Sequence, residues 1–278
     1  MPDFTPTFNV NLTESLPFLW DKFLSILGKD AATKDLESWF YELQRIGWND
    51  AATVQYIGMH TPLELSDIYR PTKLQWQTLL LVMENSAGER VNVSLPTHPI
   101  DPHEFMNMNV HAAIIAGPGW GKTTFLHYAF LTFIKSKKTL PLLITLRRNG
   151  SVKDLARLVD ALGSAPKMMR GMLVLLLVDG YDEISLENRK KVSISLNKFK
   201  ALRLGRLYLS CREFYDLVDL NLPKIKVAPF DREDQISYVK SFTKAYGTQL
   251  DADALVAELT GRGLKDLLVL CPINNLTK

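Results

Sequence analysis

The sequence has little cysteine: Cys211 and Cys271 are the two in 278 residues, far apart, with no histidine or cysteine at metal-ligand spacing. This excludes a disulfide framework and a thiolate zinc site, and predicts a reduced, cytoplasmic protein. Long apolar runs are missing too. Leu173–Val178 has the length of a buried strand, far short of the ~20 residues a membrane helix needs. Met1-Pro2-Asp3-Phe4 lacks the basic start and apolar stretch of a signal peptide. An excess of charge of one sign is missing: the net +3 is too small to make nucleic acid or an anionic membrane the main partner. No repeat, low-complexity segment, Ser-His-Asp set or Cys-His pair stands out. His98 and His103 share a proline-rich stretch with no third ligand.

What is present is an ordinary globular composition, 46% apolar and 23% charged, in a chain long enough to bury a large core. Residues 1–60 read as a helical region. Leu16, Leu19, Trp20, Phe23, Leu24 and Leu27 fall on one helical face before Gly28. Leu36, Trp39, Phe40, Leu43 and Ile46 fall on another, with Gly47 as its stop and a short third helix at 49–59. Residues 61–110 read as a lead-in. Within it, prolines 96, 99 and 102 argue for a connection or hairpin and against helix. In the core, 111–230, apolar strands at 112–116, 140–146, 172–179, 206–210 and 224–229 alternate with helices near 122–136, 151–163, 186–203 and 213–219. That alternation predicts an α/β fold: a parallel sheet covered on both faces, in three layers. Residues 231–278 read as the start of a C-terminal helical subdomain, with helices near 231–245, 251–260 and 263–270.

The strand 112–116 runs into Gly117-Pro118-Gly119-Trp120-Gly121-Lys122-Thr123-Thr124. This is the P-loop pattern with Ala116 in place of its first glycine. Glycines let the backbone wrap closely around a phosphate, and the helix opening at Lys122 adds its N-terminal dipole. Lys122 is placed to neutralise β and γ oxygens, and the Thr123 hydroxyl to ligate Mg²⁺. Trp120 is unusual in such a loop, and its indole either points away from the phosphates or shields them.

Leu173–Val178 ends in Asp179-Gly180-Tyr181-Asp182-Glu183. Asp179 lies at the C-terminal end of a central strand, where open α/β sheets bind ligands and a Mg²⁺-orienting carboxylate belongs. Asp182 and Glu183 follow closely enough to polarise an attacking water. A further strand ends in Ser210-Cys211-Arg212. An arginine there suits a γ-phosphate contact, and a plain surface arginine fits the pattern as well.

In these motifs, and in Pro141–Arg147, the chain resembles the NACHT NTPases of the STAND class, a resemblance that runs from about residue 63 onward. Leu63–Pro71 is similar to the lead-in before many bacterial NACHT modules. The resemblance implies a P-loop NTPase binding ATP or ADP with Mg²⁺. Ala116–Thr124 would hold phosphate, Thr123 and Asp179 the metal, and Glu183 or Asp182 would assist slow ATP hydrolysis, with Arg212 as sensor. Pro272 would contact adenine, although Ile273 follows it where leucine is usual, and Ile68–Pro71 would line the base pocket. It further implies a nucleotide-dependent switch in signalling or antiphage defence, self-association on activation, and a longer protein of which these residues are the N-terminal part.

Other readings compete less well. The Asn-Lys pair Asn197-Lys198 lacks the aspartate that reads guanine, which argues against a GTPase. A module that holds ADP without hydrolysis conflicts with the presence of Asp182 and Glu183. A nucleic-acid binder would rest on Arg189, Lys190, Lys191, Lys198, Lys200, Arg203 and Arg206, which read as a solvated helix face without interleaved aromatics.

Overall fold

The computed structural model describes residues 31–54, 62–70, 72–76, 80–84, 90–94, 99–134, 139–164, 173–214, 217–247 and 251–261. The helix expected at 16–27, the helix near 263–270, His98, Pro71, Cys271 and Pro272 lie outside them.

Chain order gives α1 (Ala31–Ala52), β1 (Thr53–Val54), β2 (Leu63–Glu64), α2 (Leu65–Ile68), β3 (Leu74–Trp76), β4 (Leu80–Glu84), β5 (Arg90–Ser94), β6 (Pro99–Ile100) and α3 (Pro102–Asn107). The core follows as β7 (Ala112–Ala116), α4 (Lys122–Ile134), β8 (Thr139–Thr145), α5 (Ser151–Ser164), β9 (Leu173–Asp179), α6 (Leu186–Leu202), β10 (Gly205–Arg212) and β11 (Lys224–Val227). It closes on α7 (Arg232–Tyr246) and α8 (Ala252–Gly261).

A seven-stranded sheet runs in the order β6-β3-β11-β7-β10-β9-β8. The block from β11 to β8 is parallel, whereas β3 pairs antiparallel with β11 and β6 antiparallel with β3. The expected parallel sheet is therefore extended by two short strands from the lead-in. Strand β10 separates β7 from β9, so the loop strand and the acidic strand are second neighbours.

Side chains alternate between two cores, as a period of two requires. Ala113, Ile115, Val174, Leu176 and Val178 join α5 and α6 on one face. Ala112, Ile114, Ala116, Leu175, Leu177 and Tyr208 join α4 on the other. Strands buried on both faces must be apolar at successive positions, which is why β9 reads as an unbroken run. Helix α4 is buried nearly all round, including Phe125, Leu126, Phe130 and Phe133. Each such side chain contributes roughly 1.5–3 kcal/mol of transfer free energy, which fixes the helix start beneath the strand ends.

Three local expectations are corrected. Gly47 does not stop a helix: α1 runs through it to Ala52. A β-carbon there would lie 3.3 Å from Phe130 and from Leu143, so the glycine lets α1 lie close to α4 and β8. Pro102 does not exclude helix either. It opens α3, where its missing N–H has no helical partner to lose, and Asp101 caps the turn through the amides of His103 and Glu104. The helix expected at 213–219 is a turn at 213–214 and a 3₁₀ turn at Val218–Leu220. Elsewhere in the stretch read as connection or hairpin, β4 and β5 form an antiparallel pair.

Candidate nucleotide site

The period of two places Leu177 and Asp179 on the same face, that of α4, and does the same for Tyr208, Ser210 and Arg212. Parallel register brings their ends together: Arg212 lies opposite Ala116, and Thr145 opposite Asp179. Polar side chains thus gather at the C-terminal ends of these strands, beside the start of α4.

The loop from Gly117 to Gly121 joins β7 to that helix. Gly119 and Gly121 have φ of 75° and 86°, a left-handed backbone that a β-carbon would strain. Pro118 is exposed at the loop tip, and Thr124 is half-buried in the first helical turn. Phe125 N–H donates to the Gly121 carbonyl at 2.8 Å and sets the helix start. The Trp120 indole folds back over Gly117, within 3.2 Å of where a β-carbon would stand, and the Lys226 ammonium lies 6.0 Å from its ring. Lys226 is also paired with Glu213 at 2.8 Å.

Lys122 Nζ donates to the carbonyls of Ala116 at 3.1 Å and Gly117 at 2.9 Å. Burial holds this ammonium below its ordinary pKa, while Asp182 and Asp179 pull the other way. The Thr123 hydroxyl reaches both Asp179 oxygens, at 3.1 and 2.9 Å. These two groups, 56 residues apart in sequence, meet directly. Ser210 Oγ donates to Asp179 Oδ1 as well, and accepts from Gly180 N–H at 2.9 Å.

After Asp179 the chain turns through Gly180, φ 83°, into a 3₁₀ turn at Tyr181–Glu183. The two following acids part there. Asp182, whose side chain is 5% exposed, pairs with Arg212 Nε at 2.9 Å. Glu183 bends back over Gly180 and faces Arg147 at 3.8 Å. Asp50, near the end of α1, pairs with Arg148 and accepts from Thr145 Oγ1 at 3.3 Å. His127 is buried one turn beyond Thr123 on α4; burial lowers its pKa, and the nearby charges of Asp179 and Asp50 oppose that shift.

Thus Ala116–Thr124, Asp179, Asp182, Glu183 and Arg212 converge. Sequence reasoning gave no role to Ser210, Arg147 or Asp50. For Ser210 the signal was its place two residues before Arg212, hence on the same strand face; Asp50 left no signal. Of the segment expected to line a base pocket, Ile68 and Tyr69 are buried. Tyr69 stacks on Tyr128 with ring centroids 4.0 Å apart, and Arg70 ties the segment to Ser237 and Ser241 of α7. His103 hydrogen-bonds the Tyr128 hydroxyl at 3.0 Å.

The basic residues do not form one face. Arg189 donates to the Asp182 carbonyl, Lys191 pairs with Glu187, Lys198 with Asp160, and Lys200 donates to the Leu220 carbonyl. Arg206 is buried against the Met106 and Met108 carbonyls. Among the described residues, no helix is long and apolar enough to cross a membrane.

Thr123 and Asp179 are hard oxygen donors, and they fit Mg²⁺, which takes one or two protein oxygens and fills the rest with phosphate and water. Among the described residues, no cluster of three or more His, Cys, Asp or Glu offers an all-protein cage.

Sheet order and the glycine-rich loop after β7 together define the P-loop NTPase fold. No family model matches the chain, and comparison with curated proteins found no match. Solved structures similar to it include domain III of the Thermotoga maritima replication initiation protein DnaA, at 18% identity and a TM-score of 0.36, over 63% of this chain and 88% of that one. The Aeropyrum pernix ORC1 protein in complex with DNA aligns at 14% identity and 0.41, over 57% of this chain and 52% of that one. AMPPCP-bound DnaA from Aquifex aeolicus aligns at 13% and 0.38, over 60% and 61%. In the last two cases the match spans less than two thirds of the other protein. Likeness at this level says nothing about what this chain binds.

Proposed function

We propose that the chain binds ATP or ADP with Mg²⁺ through Ala116–Thr124 and Asp179. The observation that carries this is the direct contact of Thr123 with Asp179 beside a half-buried Lys122. A Lys122 that turns from its two loop carbonyls to a phosphate exchanges neutral acceptors for charged ones, which strengthens its hydrogen bonds. Thr123 and Asp179 would hold a Mg²⁺ there, whose positive charge would help neutralise the phosphates. Glu183, the more exposed acid, is the group placed to orient a water, and Arg212 holds Asp182 at the strand end where a γ-phosphate would be sensed.

On the NACHT resemblance, this site would serve a cytoplasmic signalling or antiviral switch that self-associates when activated. Both acids are engaged by arginines, which favours slow turnover and keeps a second reading open, an ADP-holding module without hydrolysis. The test is the nucleotide released by denaturing the purified protein, identified by chromatography. ADP or ATP in wild type and none in Lys122→Ala is the expected result. Bound guanine nucleotide would overturn the adenine assignment. A measured turnover separates the switch from the inert module.

A further inference from the structure

Asp179 is 3% exposed, and a buried carboxylate needs donors on its oxygens to keep one orientation. Thr123 contacts both oxygens, yet its hydroxyl has a single proton and serves one of them at a time. The second donor is Ser210, 1% exposed, on the neighbouring strand β10. Its hydroxyl direction is itself fixed. Ser210 Oγ accepts the Gly180 N–H at 2.9 Å, which leaves its own proton for Asp179 Oδ1. One side chain therefore grips the carboxylate and the first amide of the turn that carries Asp182 and Glu183. Two residues further along the same strand face, Arg212 holds Asp182.

We propose that Ser210 is a positioning residue that holds Asp179 in its metal-facing orientation. The proposal rests on the nucleotide reading above and adds to it a residue that touches neither phosphate nor metal. Groups that orient a metal ligand from behind typically change metal affinity by about 10–100-fold. A serine that only fills space, or only satisfies Gly180, would alter stability and leave the metal dependence of binding intact.

The experiment measures ATP affinity by calorimetry, in Mg²⁺ and in EDTA, for wild type, Ser210→Thr, Ser210→Val and Ser210→Ala. Thr and Val are matched in shape and differ in the hydroxyl, so packing effects cancel between them. Wild type and Ser210→Thr are expected to bind more tightly in Mg²⁺ than in EDTA. Ser210→Val and Ser210→Ala should lose about tenfold of that gain and keep their EDTA affinity. An equal Mg²⁺ gain in the Thr and Val variants would overturn the proposal. If Val fails to fold, Ala against wild type decides in the same way. A wild type that binds no ATP in either condition overturns the nucleotide reading itself, a distinct result.

Discussion

Asp182 and Glu183 are neighbours in sequence and meet different surroundings. The Asp182 side chain is nearly buried and tied to Arg212 at 2.9 Å, so it is spent on holding that arginine. Glu183 is more exposed and only loosely faced by Arg147. Glu183→Gln should lower the single-turnover rate of ATP hydrolysis by about 10²-fold and leave ATP binding intact. A full rate in Glu183→Gln with a slow Asp182→Asn would reverse the two roles. Cys211 gives a second prediction. Burial pushes its thiol up to about 12 from 9.0, with Asp182 adding to the shift. Between those values the unfolded chain has lost the proton and the folded chain has kept it. This thiol therefore subtracts stability as pH rises above 9.0. At neutral pH, iodoacetamide should modify Cys211 only in denaturant, as read by peptide mass. Rapid native labelling would mean β10 opens.

The elements that sequence revealed most fully are those buried on both faces. Strand β7 matches the apolar pattern residue for residue because every position from Ala112 to Ala116 is buried. Gly47 and Pro102 misled because each was read for its local preference. Gly47 serves a contact with Phe130 and Leu143, far along the chain, while Pro102 occupies the one helical position that suits it. The start of β10 depends on a similar close approach. A β-carbon on Gly205 would stand 1.8 Å from the Val174 carbonyl, its partner in register. Gly205→Ala should cost ~3 kcal/mol or more in urea unfolding, because backbone and not a flexible side chain must move. A near-neutral result would contradict the close approach of β9 and β10 at Gly205.

For the molecule as a whole, the candidate site depends on a sheet order that brings the ends of distant segments together. The loop and the acidic strand were legible in sequence because their chemistry is local. Their meeting through Thr123 and Asp179 follows from β10 lying between β7 and β9, an order that no local pattern encodes. Asp50 is a further case, 95 residues from Thr145. Helix α1 folds its end against the loop after β8, and Gln44 reaches the carbonyl of Pro141 in the edge strand. The N-terminal helix is thus packed on the core that holds the site. Its amphipathic pattern predicted burial without saying against what.

The most direct measurement is a calorimetric titration of ATP with Mg²⁺ into nucleotide-stripped wild type and Lys122→Ala. Saturable one-to-one binding in wild type, weakened at least ~100-fold by loss of the charged hydrogen bonds of Lys122, is the predicted result. Equal binding by both, or none by a folded wild type, would contradict a phosphate site at Ala116–Thr124.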